Sequence, residues 1–148
     1  MPKEFIMRGQ TPITAPTEIL NMTGYRPGYG YTLTEFQLYP STDIPNQNAE
    51  MSATITAANT EESPTNPDFR NEGLIASCFM KNNNNQTQLT TLTIINDLFV
   101  ITQDLILMVN DSSNAPVNWQ IKFKEVKLSG PAEAVANYKQ YTIYNTSS

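Results

Sequence analysis

Apolar residues in this chain recur mostly at every second position, in short runs separated by turn-forming clusters, which is the pattern of half-buried β-strands. The clearest run is Met51 to Ala57, where Met51, Ala53, Ile55 and Ala57 share one face and Ser52, Thr54 and Thr56 the other. This alternation predicts an antiparallel strand with one dry and one wet side. Val117, Trp119, Ile121 and Phe123 repeat the pattern, after which the apolar phase moves to Val126 and Leu128. A shift of that kind is what a β-bulge or a sharp bend produces. Tyr31 to Tyr39 alternates less regularly, with Phe36 and Leu38 set against Glu35 and Gln37. Phe5 to Arg8, Glu18 to Met22, Leu74 to Met80, Leu89 to Ile95, Leu98 to Thr102 and Leu105 to Val109 complete the expected strands. The region from Ile94 to Val109 also fits a helical phase, but Ile, Val, Thr and Phe dominate it, and Asn96-Asp97 and Gln103-Asp104 interrupt it at turn-like intervals.

Turn signals separate these runs: Arg26-Pro27-Gly28, Asp43 to Asn46, Ser63 to Pro67, Asn82 to Asn85 and Asp111 to Asn114. One segment reads as helix. After Gly130-Pro131, the run Ala132 to Tyr138 has good helix formers behind a proline suited to a first turn. The expected fold is therefore all-β, a two-sheet antiparallel sandwich of jelly-roll-like form with one short C-terminal helix. An immunoglobulin-like topology also accommodates the strands, but no cysteine pair brackets Trp119. Residues 1–16 read as an N-terminal strand and spacer, and 17–148 as a single β-sandwich domain.

At 148 residues one core suffices, and only 16% of residues are charged, so amides and hydroxyls must keep the surface wetted. The net charge of −5 argues against nucleic-acid binding, because phosphate neutralisation needs clustered Lys and Arg. Lys122, Lys124 and Lys127 are the closest basic group, and they read as a solvated sheet surface. No run reaches the roughly 18 apolar residues of a membrane helix, since Asn96, Asp97, Gln103 and Asp104 break the longest one. Met1 to Gln10 carries Lys3, Glu4 and Arg8 without a sustained apolar stretch, so synthesis in a reducing cytoplasm is expected. The sequons at Asn21, Asn85, Asn110 and Asn145 are then chance products of an Asn- and Thr-rich chain.

Candidate chemistry is sparse. The chain has no histidine, which removes Ser-His-Asp and Cys-His arrangements together with the His-containing zinc sets. The single cysteine, Cys78, lies in an apolar run and reads as a buried, inert thiol. Glu61, Glu62, Asp68 and Glu72 fall in a proline-rich loop, and Asp97 and Asp104 flank an expected short strand. Neither group has a spacing specific to glycoside hydrolysis, and both read as solvated acids and turn caps. The cluster Asn110 to Asn114 offers oxygen ligands for calcium, though a hairpin connection explains it equally well. No catalytic residue, metal or cofactor is expected, and the chain does not read as an enzyme.

Two segments suggest contact with other molecules. Phe5, Ile6, Met7 and Arg8 form a strand followed by the proline-punctuated spacer Gln10 to Pro16. That strand either folds onto its own sheet or pairs with a neighbour's sheet edge. Tyr25, Arg26 and Tyr29 sit in a glycine-rich turn, where they cap the sandwich, anchor a protein interface or present rings to a sugar. These seven residues are the candidate interface, and a carbohydrate-binding module is the alternative from a different class.

The stretches Tyr31 to Pro40, Asn71 to Ser77 and Ile95 to Leu107 resemble a group of small proteins of about this length encoded by tailed bacteriophages, many from marine hosts, alongside capsid and other virion genes. The likeness runs from Phe5 to about Leu128. It implies a virion structural protein, a capsid decoration or cement protein that binds the outer surface of the head between coat subunits and resists internal DNA pressure. The implied partners are the major capsid protein and further copies of the chain, as a trimer, with no nucleic acid or membrane contact. The implied location is the capsid exterior, after synthesis in the host bacterial cytoplasm. A head–tail joining or tail-associated subunit is the nearest alternative.

Overall fold

The structure, a computed structural model, describes residues 3–22, 28–41, 49–57, 60–82 and 89–128. Eight strands follow one another: β1 (Glu4–Thr11), β2 (Thr17–Leu20), β3 (Tyr29–Pro40), β4 (Ala49–Ala57), β5 (Leu74–Asn82), β6 (Leu89–Ile95), β7 (Leu105–Asp111) and β8 (Val117–Lys127). They form two sheets, one ordered β1-β8-β3 and the other β2-β7-β4-β5-β6, with every pairing antiparallel. The architecture is all-β and sandwich-like. The helix expected at residues 132–138, together with Tyr25 and Arg26, lies outside the described residues.

Alternation assigns the inner faces. Leu33, Phe36, Ile121 and Phe123 of the smaller sheet and Met51, Ile55, Ile75, Leu105 and Leu107 of the larger belong to one buried cluster that joins the two sheets. Burial of each such side chain contributes roughly 1.5–3 kcal/mol, which makes this layer the main source of stability. Trp119 lies across Gly9, its partner in β1, where an added Cβ would sit 2.7 Å from the indole ring. The indole covers the backbone that the glycine leaves bare, and Nε1–H donates to Thr11 Oγ1 at 2.9 Å.

β1 folds onto its own sheet, paired with β8 from Glu4 to Thr11. Phe5 stacks on Phe123 at 5.1 Å and meets Tyr31 edge-on at 5.3 Å. The spacer then turns at Pro12–Ala15 and crosses to the larger sheet, where Pro16 O accepts from Val109 N.

Three expectations are corrected. The phase shift assigned to the end of β8 does not occur: inward burial continues through Glu125, which occupies the core-facing slot next to Val126. The irregularity lies instead in β3, where Leu33 faces Phe123 and Glu35 faces Lys122, leaving Thr34 as the extra residue. β8 is paired on both sides and a slip would break two ladders, whereas β3 is an edge strand that can bulge at little cost. Leu98–Thr102 is not a strand. Asn96 Oδ1 accepts from Leu98 N in a tight turn, and Ile101 makes an isolated bridge to Tyr31 through reciprocal bonds of 2.9 and 2.7 Å. Finally, the Ser52-Thr54-Thr56 face of β4 is not wet along its length, because Thr54 and Thr56 are each only 1% exposed. The segment 60–73 folds over them, and their hydroxyls donate to its carbonyls: Thr54 to Glu62 O at 2.8 Å, and Thr56 to Thr60 O.

Candidate functional site

The covering segment shapes the most distinctive surface of the molecule. Thr60 N donates to Ala57 O at 3.1 Å at its start, and Ala57 N donates to Gly73 O at 2.8 Å where it returns to β5. Its interior is tied locally. Ser63 Oγ accepts from the backbone N–H groups of Thr65 and Asn66, Asn71 Nδ2 donates to Glu62 Oε2, and Asn71 Oδ1 accepts from Gly73 N. Arg70 forks onto the Asp68 carboxylate, with Nη2 to Oδ2 at 2.8 Å, and holds that carboxyl down at about 2. With the polar groups so engaged, Phe69 is left projecting outward.

Opposite Phe69, the pairing of β5 with β6 decides which side chains leave the core. Cys78 faces Thr93 and Ala76 faces Ile95 on the inner side, which sends Phe79, Leu92, Ser77 and Ile94 outward. Phe69 is 60% exposed, Phe79 39%, Leu92 51% and Ile94 47%. With Pro64 and Pro67 they line a cleft of about 510 Å³ between the segment and the sheet. Large side chains exposed singly are ordinary, but a contiguous apolar strip beside a cleft marks a place where another surface docks. Ser77 Oγ is buried in the floor of the cleft with no hydrogen-bond partner among the described residues. Glu50 and Lys81 lie on the rim, so one carboxylate and one ammonium frame an otherwise neutral surface.

The five described candidate interface residues fall elsewhere. Phe5 and Met7 point inward and pack against the core, Ile6 and Arg8 point outward from β1, and Tyr29 opens β3 half-buried. Arg8 instead joins Gln37, Tyr39, Asn118 and Gln120 around a depression of about 790 Å³ on the smaller sheet. Cys78 is buried, its thiol pushed up by desolvation while the Thr93 hydroxyl hydrogen-bonds the sulfur at 3.1 Å.

The remaining acids have local duties. Asp111 accepts from Ser113 N, Ser113 Oγ and Ala115 N, and Asn114 takes φ 62°, so the Asn110–Asn114 stretch is the end of β7 and the turn that leads towards β8. Asp104 accepts from Met22 N at 2.8 Å and ties the end of β2 to the approach of β7. Asp97 lies in the turn after β6.

Phe69, Phe79, Leu92 and Ile94 were not among the residues singled out from the sequence. In β6 apolar residues occupy both phases, Leu92 and Ile94 on one and Ile95 on the other, so alternation alone does not choose the inner face. No protein-family model and no curated protein matches the chain.

Proposed function

We propose that this chain is a virion structural protein, a capsid decoration or cement protein that binds the outer capsid surface between coat subunits and stabilises the DNA-filled head. The observation that carries the proposal is the strip Phe69-Phe79-Leu92-Ile94, four exposed apolar side chains gathered along one cleft, whereas Ile6, Ile19 and Leu98 are exposed outside that cleft. Repetition on a lattice multiplies modest contacts of this kind, so a small interface per copy suffices. The strand order supports a jelly-roll form. First pairs with eighth, eighth with third, second with seventh, seventh with fourth and fourth with fifth, as in two interlocked Greek keys. β6 departs from it by pairing with β5, although Thr93 of β6 still reaches Phe36 O of β3 at 3.1 Å.

Quantitative mass spectrometry of purified particles tests the reading. Copies in number comparable to the coat protein support it. Absence from particles refutes it, and a handful of copies per particle transfers the chain to the head–tail joint or tail.

The depression on the smaller sheet favours a second reading, a carbohydrate-binding module. Amide side chains of Gln37, Asn118 and Gln120, the Arg8 guanidinium and the exposed Tyr39 ring match the paired hydroxyls and apolar face of a sugar. A glycan array on which binding is lost with Tyr39→Ala supports this reading, and a flat array rejects it.

A further inference from the structure

We propose that two copies of this chain associate by antiparallel pairing of their β6 strands, joining the two five-stranded sheets edge to edge. Each sheet presents two edges, and an unprotected edge is a template for further pairing, so folded proteins guard them. Three of the four are guarded here. β1 carries Glu4 and Arg8 on its outward face. β2 is four residues long, follows Pro16 and contains Glu18. β3 bulges at Thr34, carries Glu35, ends at Pro40 and is bridged near its start by Ile101.

β6 has none of these devices. Its sequence, Leu89-Thr90-Thr91-Leu92-Thr93-Ile94-Ile95, holds no charge and no proline, and its pairing with β5 runs without a bulge. Uncharged, β-branched segments of this length are the ones that pair most readily with their own kind. Among the described residues no strand pairs with its outer edge.

The free backbone groups can be assigned. Asn96 N donates to Ile75 O, continuing the β5 ladder. Antiparallel pairing alternates direction residue by residue, so Ile94, Leu92 and Thr90 turn their backbone groups to β5. Thr91, Thr93 and Ile95 therefore turn theirs to the open edge. A two-fold axis at Leu92 overlaps two β6 strands along their whole length, with Thr91 of one copy facing Thr93 of the other in hydrogen-bonded pairs. On the outer face the same register sets Leu92 beside Leu92 and Thr90 beside Ile94. No like charges meet, because the strand has none. The contact is isologous and closes as a dimer, and it does not depend on what the apolar strip docks onto.

The test uses the full chain in solution, with no particle present. Sedimentation equilibrium is expected to give twice the 16.6 kDa of the single chain. The amides of Thr91, Thr93 and Ile95 are expected to gain hydrogen-exchange protection as protein concentration rises. Thr91→Pro removes an edge donor without touching the β5 ladder, and Thr91→Lys adds a charged guard. Both are expected to return the mass to that of one chain, with circular dichroism unchanged. A monomer with rapidly exchanging edge amides overturns the proposal. So does a monomer whose edge amides are protected at every concentration, which means the chain covers its own edge. A dimer that survives both substitutions overturns it as well, because its contact lies elsewhere.

Discussion

Trp119 shows how much a single position can carry. Its ring covers Gly9, its N–H is satisfied by Thr11, and it is the sole tryptophan, so its emission reports on this corner of the core. Thr11→Val leaves the indole N–H buried without a partner and is expected to cost about 1–3 kcal/mol in denaturant melts followed by that emission, whereas Thr11→Ser should retain most of the stability. Gly30 is equally constrained, because a Cβ there would lie 2.6 Å from Val100 Cγ1 and 3.2 Å from Ile101 O. Gly30→Ala is expected to destabilise by about 1–3 kcal/mol through overpacking, read as a lowered midpoint at constant slope. Cys78 supplies a pH dependence. Burial raises its thiol above the ordinary 9.0, so the folded chain holds that proton more tightly than the unfolded one. The contribution is complete below pH 9.0 and is lost as pH climbs through the raised value. Cys78→Ala should flatten that alkaline decline, and in the parent protein a thiol reagent at neutral pH should react more slowly than with the unfolded chain.

At the level of elements, what could be read from the sequence depended on how one-sided each strand is. β4 and β8 were legible because Met51-Ala53-Ile55-Ala57 and Val117-Trp119-Ile121-Phe123 leave no doubt about the inner face. The bulge in β3 was not assigned from the sequence, where only an irregular alternation was read, although the apolar phase does pass from Tyr31 and Leu33 to Phe36 and Leu38 across Thr34. The shift after Phe123 in β8 resembled it but had another cause, a buried Glu125 at the strand end. The outward face of β6 was not legible because its register is fixed by β5 and not by its own residues. The covering of Thr54 and Thr56 was also hidden, because a hydroxyl that satisfies a loop carbonyl looks in sequence like one that faces water. Thr54→Val tests that cover. It leaves the Glu62 carbonyl without its donor and is expected to cost about 1–2 kcal/mol and to speed hydrogen exchange across residues 60–73, while Thr54→Ser should do neither.

For the whole molecule, the decisive feature is the contrast between a tightly determined interior and an apolar strip left outside it. Phe69, Phe79, Leu92 and Ile94 are exposed large apolar side chains, and Leu92, half exposed at a sheet edge, contributes to the fold chiefly through its cross-strand pair with Phe79, so changing Leu92→Thr should alter stability by no more than about 1 kcal/mol in a thermal melt. A thermal penalty of several kcal/mol would mean that the strip serves the fold and not a partner. The measurement that decides between an adhesive slab and some other role is a cryo-microscopy map of purified particles that carry the protein. The map is expected to show the sandwich repeated over the capsid exterior with Phe79, Leu92 and Ile94 buried against the coat. A particle that lacks it, or a docked copy with that strip facing solvent, would contradict the proposal.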